Sequence, residues 1–272
     1  MSGLALFLLG LASMLLMMLG VWALAVRLRN AGIVDVAWAG GFSVLALLYA
    51  GLGPGDPARR ALIAAMAVAW SLRLSLHLGR RVYRWHPEED GRYVELRRTW
   101  GERADRRLLG FFLAQGVLDS VLSLPILLSC LNPSPRIHPL EWAGLGLWSV
   151  ALCGEWLADR QLERFKADPR NAGRTCQTGL WGWSRHPNYF FEWLVWCAYG
   201  VFALASPWGF AGFSAPLLIL YFLLRVTGIP ATEAQALRSR GEAYRRYQET
   251  TSRFVPWPPR RMREGRPPGG EG

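Results

Sequence analysis

Long apolar runs recur along the chain and determine its predicted architecture. Gly3 to Val26 contains no charged residue, Ile33 to Gly51 contains only Asp35, and Ala61 to Leu78 is uncharged until its last third. Runs of about 20 apolar residues have the length that crosses a bilayer as a helix. Because lipid offers no water to backbone groups, each run is expected to be helical.

Four more runs follow: about Leu108 to Leu131, Leu140 to Leu157, Tyr189 to Ala205 and Phe210 to Leu224. The pattern therefore predicts an all-α integral membrane protein with about seven transmembrane helices. The first run is interpreted as a retained helix. It has no basic residue before it and is longer than the apolar region of a signal peptide.

The basic residues favour alternate sides of these predicted spans. They cluster after the first, third and fifth runs and from Arg225 onward, whereas the opposite loops hold only Arg59, Arg60 and Arg136. Cytoplasmic loops are enriched in Lys and Arg. Seven spans then place the N-terminus outside and the C-terminus in the cytoplasm.

The net charge of +11 has two explanations that both remain open. One is the charge bias of membrane topology together with attraction to anionic lipid headgroups. The other is an anionic ligand on the cytoplasmic face. Nucleic acid is not expected, because the basic residues lie at membrane ends. The four Cys and four His show no ligand spacing, so neither a disulfide framework nor a metal site is predicted.

Ionisable residues inside the apolar runs are costly and therefore indicate function. Most lie near a predicted cytoplasmic end, which favours one polar cavity open to the cytoplasm over scattered ion pairs between helices. Asp119 stands alone and fits helix pairing better. Glu155 and Asp159 share a helix face, where like charges need a compensating partner. The set comprises Asp35, Arg73, Asp119, Glu155, Asp159 and Glu192.

The densest polar motif runs from Thr178 to Glu192 at the start of the sixth predicted helix. Pro187 suits the first turn of a helix, and a helix N-terminus with a nearby arginine attracts anions. Trp183 and Tyr189 also fit an interfacial aromatic belt. The motif as a whole is too polar for a belt alone, so it predicts a ligand-binding segment.

The segment from Glu233 to Pro256 has the pattern of an amphipathic cytoplasmic helix. Two interpretations remain open, a helix lying on the membrane surface and a lid over a cofactor. Residues after 258 are rich in Pro, Gly and Arg. They predict a disordered basic tail over 259–272 after a single domain of residues 1–258.

Taken together, the motifs show a family resemblance that covers about residues 27 to 258. The chain resembles bacterial membrane proteins grouped with the steroid 5-alpha-reductases, a domain formerly of unknown function, and related to 3-oxo-5-alpha-steroid 4-dehydrogenases and sterol reductases. The matching segments are Val34–Trp38, Trp70–Leu74, Glu89–Tyr93, Gly179–Trp181, Ser184–Phe190, Gly228–Pro230 with Glu233, and Tyr247–Pro258.

This resemblance implies a seven-helix enzyme of the bacterial inner membrane that binds NADPH from the cytoplasm. It implies reduction of the carbon–carbon double bond of an enone lipid that enters from the bilayer. The implied cofactor-binding residues are Glu155, Asp159, Lys166, Arg174, Trp183, Arg185, His186, Asn188, Tyr189, Glu192, Glu233, Arg238, Tyr244 and Tyr247.

The catalytic pair departs from the steroid enzymes, which use a Glu in helix two and a Tyr in helix three. Here helix two offers Asp35, and Trp70 stands at the helix-three position. The hypothesis is that Asp35 and Tyr93 form the catalytic pair, with a protonated Asp35 donating to the developing enolate. This departure counts against a steroid substrate more than against reduction as the reaction.

Two other classes of function remain. An S-adenosylmethionine-dependent methyltransferase of the isoprenylcysteine type shares the Arg185-His186-Pro187 motif and a following Glu. The motifs around Asp35 and Tyr93 favour the reductase. A non-catalytic lipid-binding or scaffold protein is less consistent with the acids gathered near one side of the membrane.

Overall fold

The computed structural model describes residues 1–260, except for the side chain of Trp85. This part of the chain is all-helical and contains no β-strand, only an isolated bridge between Ser184 and Ser252. Its α-helices are α1 (Gly3–Leu28), α2 (Ile33–Leu52), α3 (Pro57–Trp85), α4 (Gly91–Trp100), α5 (Ala104–Leu122), α6 (Leu124–Leu131), α7 (Pro139–Ala167), α8 (Pro187–Ala203), α9 (Ser214–Tyr221), α10 (Ile229–Arg240) and α11 (Glu242–Thr250).

Among residues 1–260, five helical stretches are long and apolar enough to cross a membrane. They are Gly3–Leu28, Ile33–Leu52, Pro57–Arg84, Gly91–Leu131 and Gly209–Arg240. The prediction of an all-α, multi-pass membrane protein is thereby confirmed. Helices α7 and α8 cover the other two apolar runs of the sequence.

The backbone divides into two compact units. Unit 1 holds Met1–Gly146 and Cys197–Ala215, and unit 2 holds Leu147–Trp196 and the described residues from Pro216 onward. The boundaries fall inside α7, α8 and α9, so no linker marks them in the sequence.

Unit 1 is built on two helix pairs, α2 with α3 and α1 with α5. Its core includes the fully buried side chains of Met14, Phe42 and Trp70. Small residues allow close approach: a Cβ at Gly116 would lie 3.2 Å from the carbonyl oxygen of Met14. Small residues at helix contacts are typical of packing in lipid, where apolar burial does not itself drive association.

One face of the first helix remains uncovered. Leu4, Leu16 and Leu24 on α1 are exposed by 69%, 70% and 49%. In water such a row of leucines would be an aggregation hazard. In a bilayer it is the expected lipid-facing surface.

A buried arginine joins the first turn of α3 to the loop before α7. Arg59 on α3 is fully buried and forms a bidentate ion pair with the fully buried Glu141 on α7. The same guanidinium donates to the carbonyls of Asn132, Ser134 and Arg136. A buried charge is tolerated when its donors are satisfied in this way.

Unit 2 differs from the sequence prediction in its last helices. The single helix predicted over Glu233 to Pro256 is two, because Gly241 adopts φ = 52° and ends α10 before α11 begins. Glycine reaches such positive φ values without steric cost. Most of the predicted tail, 259–272, lies outside the described residues.

Candidate functional site

In unit 1, the predicted catalytic residues Asp35 and Tyr93 are in direct contact. The Tyr93 hydroxyl donates a hydrogen bond of 2.7 Å to Oδ1 of Asp35. Arg92 Nη2 lies 2.7 Å from the other carboxylate oxygen, and Arg81 Nη2 lies 3.3 Å from it. We call Asp35, Arg81, Asp90, Arg92 and Tyr93 the Asp35 cluster.

Local structure places this cluster at the N-terminal end of α2. Asp35 lies in the first turn of α2, and Tyr93 lies in the first turn of α4, whose N-cap is Asp90. The loop before α4 is tied to the loop before α2, because Glu89 accepts the backbone N–H of Ala31 at 2.6 Å. Tyr93 therefore approaches α2 from a short helix, α4, that lies between the third and fourth apolar runs of the sequence.

Burial differs sharply within the Asp35 cluster. Tyr93 is 3% exposed and packs among Val34, Leu108 and Phe112. Asp35 keeps 18% of its side chain exposed, and the two arginines about half. Burial opposes ionisation of Asp90, but hydrogen bonds from Arg92 hold the pKa of that carboxyl below its ordinary value. The cluster thus places a phenol between an apolar core and a charged rim.

In unit 2, a second cluster forms around Glu233. Arg185 Nε donates to Glu233 Oε1 at 2.7 Å, and Gln248 donates to Oε2 at 3.0 Å. The His186 ring nitrogen lies 3.3 Å from the same Oε1. We call Arg185, His186, Glu233 and Gln248 the Glu233 cluster.

The two predicted residues at the centre of this cluster are nearly buried. Arg185 and His186 are 8% and 3% exposed. Arg185 Nη1 also donates to the carbonyls of Gln248 and Thr251, at 2.8 Å each. Burial lowers the pKa of His186, although the contact with Glu233 acts in the opposite direction. Most of the Arg185 guanidinium therefore serves internal contacts.

The tyrosines of α11 hold the same region together. Tyr247 is buried and donates to the carbonyl oxygens of Trp181 and Ser184. Tyr244 stacks edge-on against it with ring centroids 5.7 Å apart. Burial raises the pKa of Tyr244 to about 12 and that of Tyr247 well above its ordinary value. Both remain neutral phenols at any physiological pH.

A more open group of predicted residues lies along α7 and the loop after it. Asp159 is half-buried and accepts a hydrogen bond of 3.3 Å from Asn188. Glu155, one turn earlier, is 3% exposed. Lys166 and Arg174 are exposed. Unit 2 thus places acidic and basic side chains along α7 and the loop after it, with Asp159 in contact with Asn188.

The remaining predicted residues occupy varied settings. Tyr189 stacks on the His186 ring at 5.5 Å, and its hydroxyl lies 3.3 Å from that of Thr232. Trp183 is 51% exposed. Glu192 is half-buried on α8, and Arg238 is exposed on α10. Within residues 1–260, no group of three or more His, Cys, Asp and Glu is placed to hold a metal ion.

Three side chains that contact the predicted residues of the two clusters were not predicted from the sequence. Arg81 and Arg92 complete the Asp35 cluster, and Gln248 completes the Glu233 cluster. Arg92 could have been predicted, because it lies next to Tyr93 inside the matching segment Glu89–Tyr93. Gln248 likewise lay inside a matching segment, Tyr247–Pro258. Arg81 gave no signal, because an arginine in a polar stretch is ordinary.

Comparisons with known proteins assign this chain to a family. An uncharacterized protein of Schizosaccharomyces pombe (C594.04c) is 28% identical, over 87% of this chain and 75% of its own. No solved structure matches the chain. A family model described as a protein of unknown function (DUF1295) matches residues 21–251. Since that match spans most of the sequence, the chain belongs to the DUF1295 family.

Proposed function

We propose that this protein is an NADPH-dependent membrane reductase that acts on the carbon–carbon double bond of an enone lipid. The observation that carries the proposal is the buried Tyr93 hydroxyl held on Asp35 between two arginines. A phenol in an apolar surrounding, aimed by a carboxylate, is suited to hydrogen-bonding a developing enolate oxygen. The steroid 5-alpha-reductase resemblance of the motifs supports the same reaction class.

Within the Asp35 cluster the roles divide by contact. Asp35 accepts from Tyr93, Arg81 and Arg92, so it acts as the acceptor that orients the others. We therefore assign proton donation to Tyr93 rather than to Asp35. The phenol hydrogen can rotate from Asp35 to a substrate carbonyl, while the arginines offset the negative charge that develops there.

The polar residues of unit 2 fit a dinucleotide phosphate. Exposed Lys166 and Arg174 offer charge-assisted donors to phosphate oxygens, and the Asp159–Asn188 pair offers partners to ribose hydroxyls or an amide. Arg185, being largely committed to internal contacts, orients His186 and Glu233. NADPH, when bound, would supply the hydride for the β-carbon and leave as NADP⁺. The enol formed when Tyr93 protonates the carbonyl oxygen would then take a proton from water at the α-carbon and return the oxygen proton to Tyr93, so that one hydride and one proton are added overall.

We further propose that α7 and α8 cross the membrane together with the five longer stretches. Seven spans would place the N-terminus outside and the C-terminus in the cytoplasm of a bacterial cell, as the positions of the arginines favour. The substrate would then reach Tyr93 from the bilayer.

The proposal is tested by cofactor binding to the purified protein in detergent. A ligand that binds only the folded state stabilises it by about 2.7 kcal/mol at 100 times its Kd. We expect NADPH to raise the melting midpoint and S-adenosylmethionine to leave it unchanged. The reverse result would make the protein a methyltransferase, and no response to either would leave a non-enzymatic lipid-binding role.

Catalysis is tested with Tyr93→Phe against the matched control Tyr83→Phe. Tyr83 is 84% exposed, whereas Tyr93 is buried on Asp35. We expect Tyr93→Phe to lower NADPH oxidation with lipid-soluble enones by about 100-fold or more, since a positioned proton donor contributes about 10²–10⁴-fold. NADPH binding should persist. Equal activity of the two variants would remove Tyr93 from the mechanism.

A further inference from the structure

The chain after α11 folds back on itself in unit 2. Arg185 N–H donates to the Ser252 carbonyl at 2.8 Å, and Trp257 N–H donates to the Trp183 carbonyl at 2.9 Å. Three residues on, Arg260 N–H donates to the Thr250 carbonyl at 2.8 Å. The fold-back encloses a polar cleft of about 300 Å³, which we call the C-terminal cleft.

Three arginines and one acidic residue line the C-terminal cleft. Arg185, Arg253 and Arg260 are on its walls with Glu249, beside the hydroxyl residues Thr250 and Ser252. Arg185 uses Nε and Nη1 on Glu233 and two carbonyls, whereas its Nη2 donates to no described residue. Arg185 is paired with Glu233, so Arg253 and Arg260 against Glu249 leave the cleft with a net positive charge. Guanidinium donors suit a phosphate.

The rim of the cleft is aromatic and apolar. Trp257 lines the cleft and is 69% exposed, and Trp183, bonded to it through the backbone, is 51% exposed. Val255, two residues before Trp257, is 52% exposed. Exposed tryptophans beside arginines are typical of the membrane–water interface, where the rings lie at headgroup level. A soluble phosphate compound would not require this rim.

We propose that the C-terminal cleft binds the phosphate headgroup of an anionic membrane lipid. Arg253, Arg260 and Nη2 of Arg185 would hold the phosphate, while Trp183 and Trp257 rest at the level of the headgroups. The cleft shares no residue with the Asp35 cluster, and lipid binding there does not require the reductase reaction. Binding would tie the last described segment of unit 2 to the membrane surface.

The test uses the full chain in micelles of a neutral detergent containing either phosphatidylglycerol or phosphatidylcholine. The melting midpoint, followed against lipid content, gives an apparent Kd. We expect phosphatidylglycerol to raise the midpoint well above phosphatidylcholine. Arg253→Gln with Arg260→Gln should weaken that binding by roughly 25-fold, from about fivefold per arginine at an anionic surface.

The matched control is Arg246→Gln, an exposed arginine on α11 that does not line the cleft. It should keep the affinity of the unsubstituted protein, and equal weakening by Arg246→Gln would overturn the proposal. Because Arg253 also donates to the Leu224 carbonyl, the single variant Arg260→Gln is the fallback if the double variant does not fold. Its midpoint in phosphatidylcholine shows whether the fold is intact.

Two further arms separate the sources of phosphate. Inorganic phosphate, at the concentration of the lipid headgroups, should not reproduce the shift; if it does, the cleft takes a soluble anion and the lipid is excluded. NADPH should not displace phosphatidylglycerol. Displacement would assign the cleft to the cofactor and overturn the lipid site, whatever the outcome for reduction.

Discussion

Two acidic residues of this protein, Asp35 and Asp119, have very different electrostatic surroundings. Asp35 is surrounded by donors, whereas Asp119 on α5 is 0% exposed and neither of its carboxyl oxygens has a hydrogen-bond partner among the described residues. A Cβ at Gly41 would lie 3.0 Å from one of these oxygens, so the space around it is filled. The sequence hypothesis of helix pairing through Asp119 therefore has no contact that supports it.

Replacing Asp119 with Asn should stabilise the protein. Burying a carboxyl without a partner demands either an uncompensated charge or the uptake of a proton, and an amide of the same shape avoids both. We expect the free energy of unfolding to rise by about 1 to 3 kcal/mol at neutral pH. Thermal denaturation in detergent measures it. Asp105→Asn, on the exposed part of the same helix, should change little, and a large loss for Asp119→Asn would reveal a hidden partner.

His186 should make stability depend on pH below neutrality. Its folded pKa is lowered, chiefly by burial, with Glu233, Arg185 and Arg253 as the charged groups around it. As the pH falls below about 6.5, the unfolded chain takes up this proton first, so stability is lost toward acid pH. Above that pH the effect is absent. Thermal midpoints across this range check it.

The control variants for this prediction are His186→Gln and His86→Gln. His86 is exposed and should leave the slope unchanged. His186→Gln should flatten it, because the titrating group is gone. A slope equally steep in His186→Gln would place its origin elsewhere.

At the scale of the elements, glycines and buried charges fix where helices end and how loops meet. Gly241 separates α10 from α11 with a positive φ, and Arg59 joins α3 to α7 and to the loop before it through one guanidinium. The apolar runs predicted every long helix, since hydrophobic length alone decides that in lipid. The break at Gly241 was missed because the amphipathic pattern continues across it. The contacts of Arg59 were beyond prediction, because they depend on how distant loops fold.

Gly241→Ala should destabilise the protein by about 1 to 3 kcal/mol, the cost of a strained φ in a residue with a side chain. A Cβ there meets nothing within 4 Å, so no clash adds to the conformational cost. Gly110→Ala is the control. Gly110 lies inside α5 with equally open space, and the change should stabilise by about 0.5 to 1 kcal/mol. Opposite signs in thermal unfolding confirm the prediction; a stabilising Gly241→Ala would contradict it.

Arg59→Met should cost about 3 to 5 kcal/mol, because it leaves the buried Glu141 carboxylate without its partner. Arg98→Met removes an exposed ion pair with Glu95, which solvent screens, and should change the stability little. Unfolding of both variants in detergent gives the comparison. Similar losses would mean that the buried pair contributes no more than a surface one.

At the scale of the whole molecule, the sequence predicted the class of protein and some of the residues in each cluster, but not the two units. Asp35 and Tyr93 were identified as a pair without any sign that α4 would bring them into contact. The polar motifs of unit 2 were found because polar residues near apolar runs stand out. The internal role of Arg185 could not be foreseen, since its acceptors are carbonyls of a segment more than sixty residues away.

The proposed topology can be tested with cysteines introduced at exposed loop positions. Ser134 precedes α7 and Ala172 follows it, and both are exposed. In intact cells we expect a membrane-impermeant thiol reagent to label Ser134→Cys and not Ala172→Cys, in a background without the native cysteines. Permeabilised cells should label both. The reverse pattern would invert the orientation, and labelling of both in intact cells would deny that α7 spans.

The backbone contacts of Arg185 also constrain how the protein is made. Its guanidinium needs the carbonyls of Gln248 and Thr251, and Ser184 donates to the Phe254 carbonyl. Chains are synthesised from the N-terminus, so α8 is translated while these acceptors do not yet exist. Unit 2 therefore closes only after the ribosome has passed residue 254, and messages truncated before that point should yield a product that quality-control proteases remove.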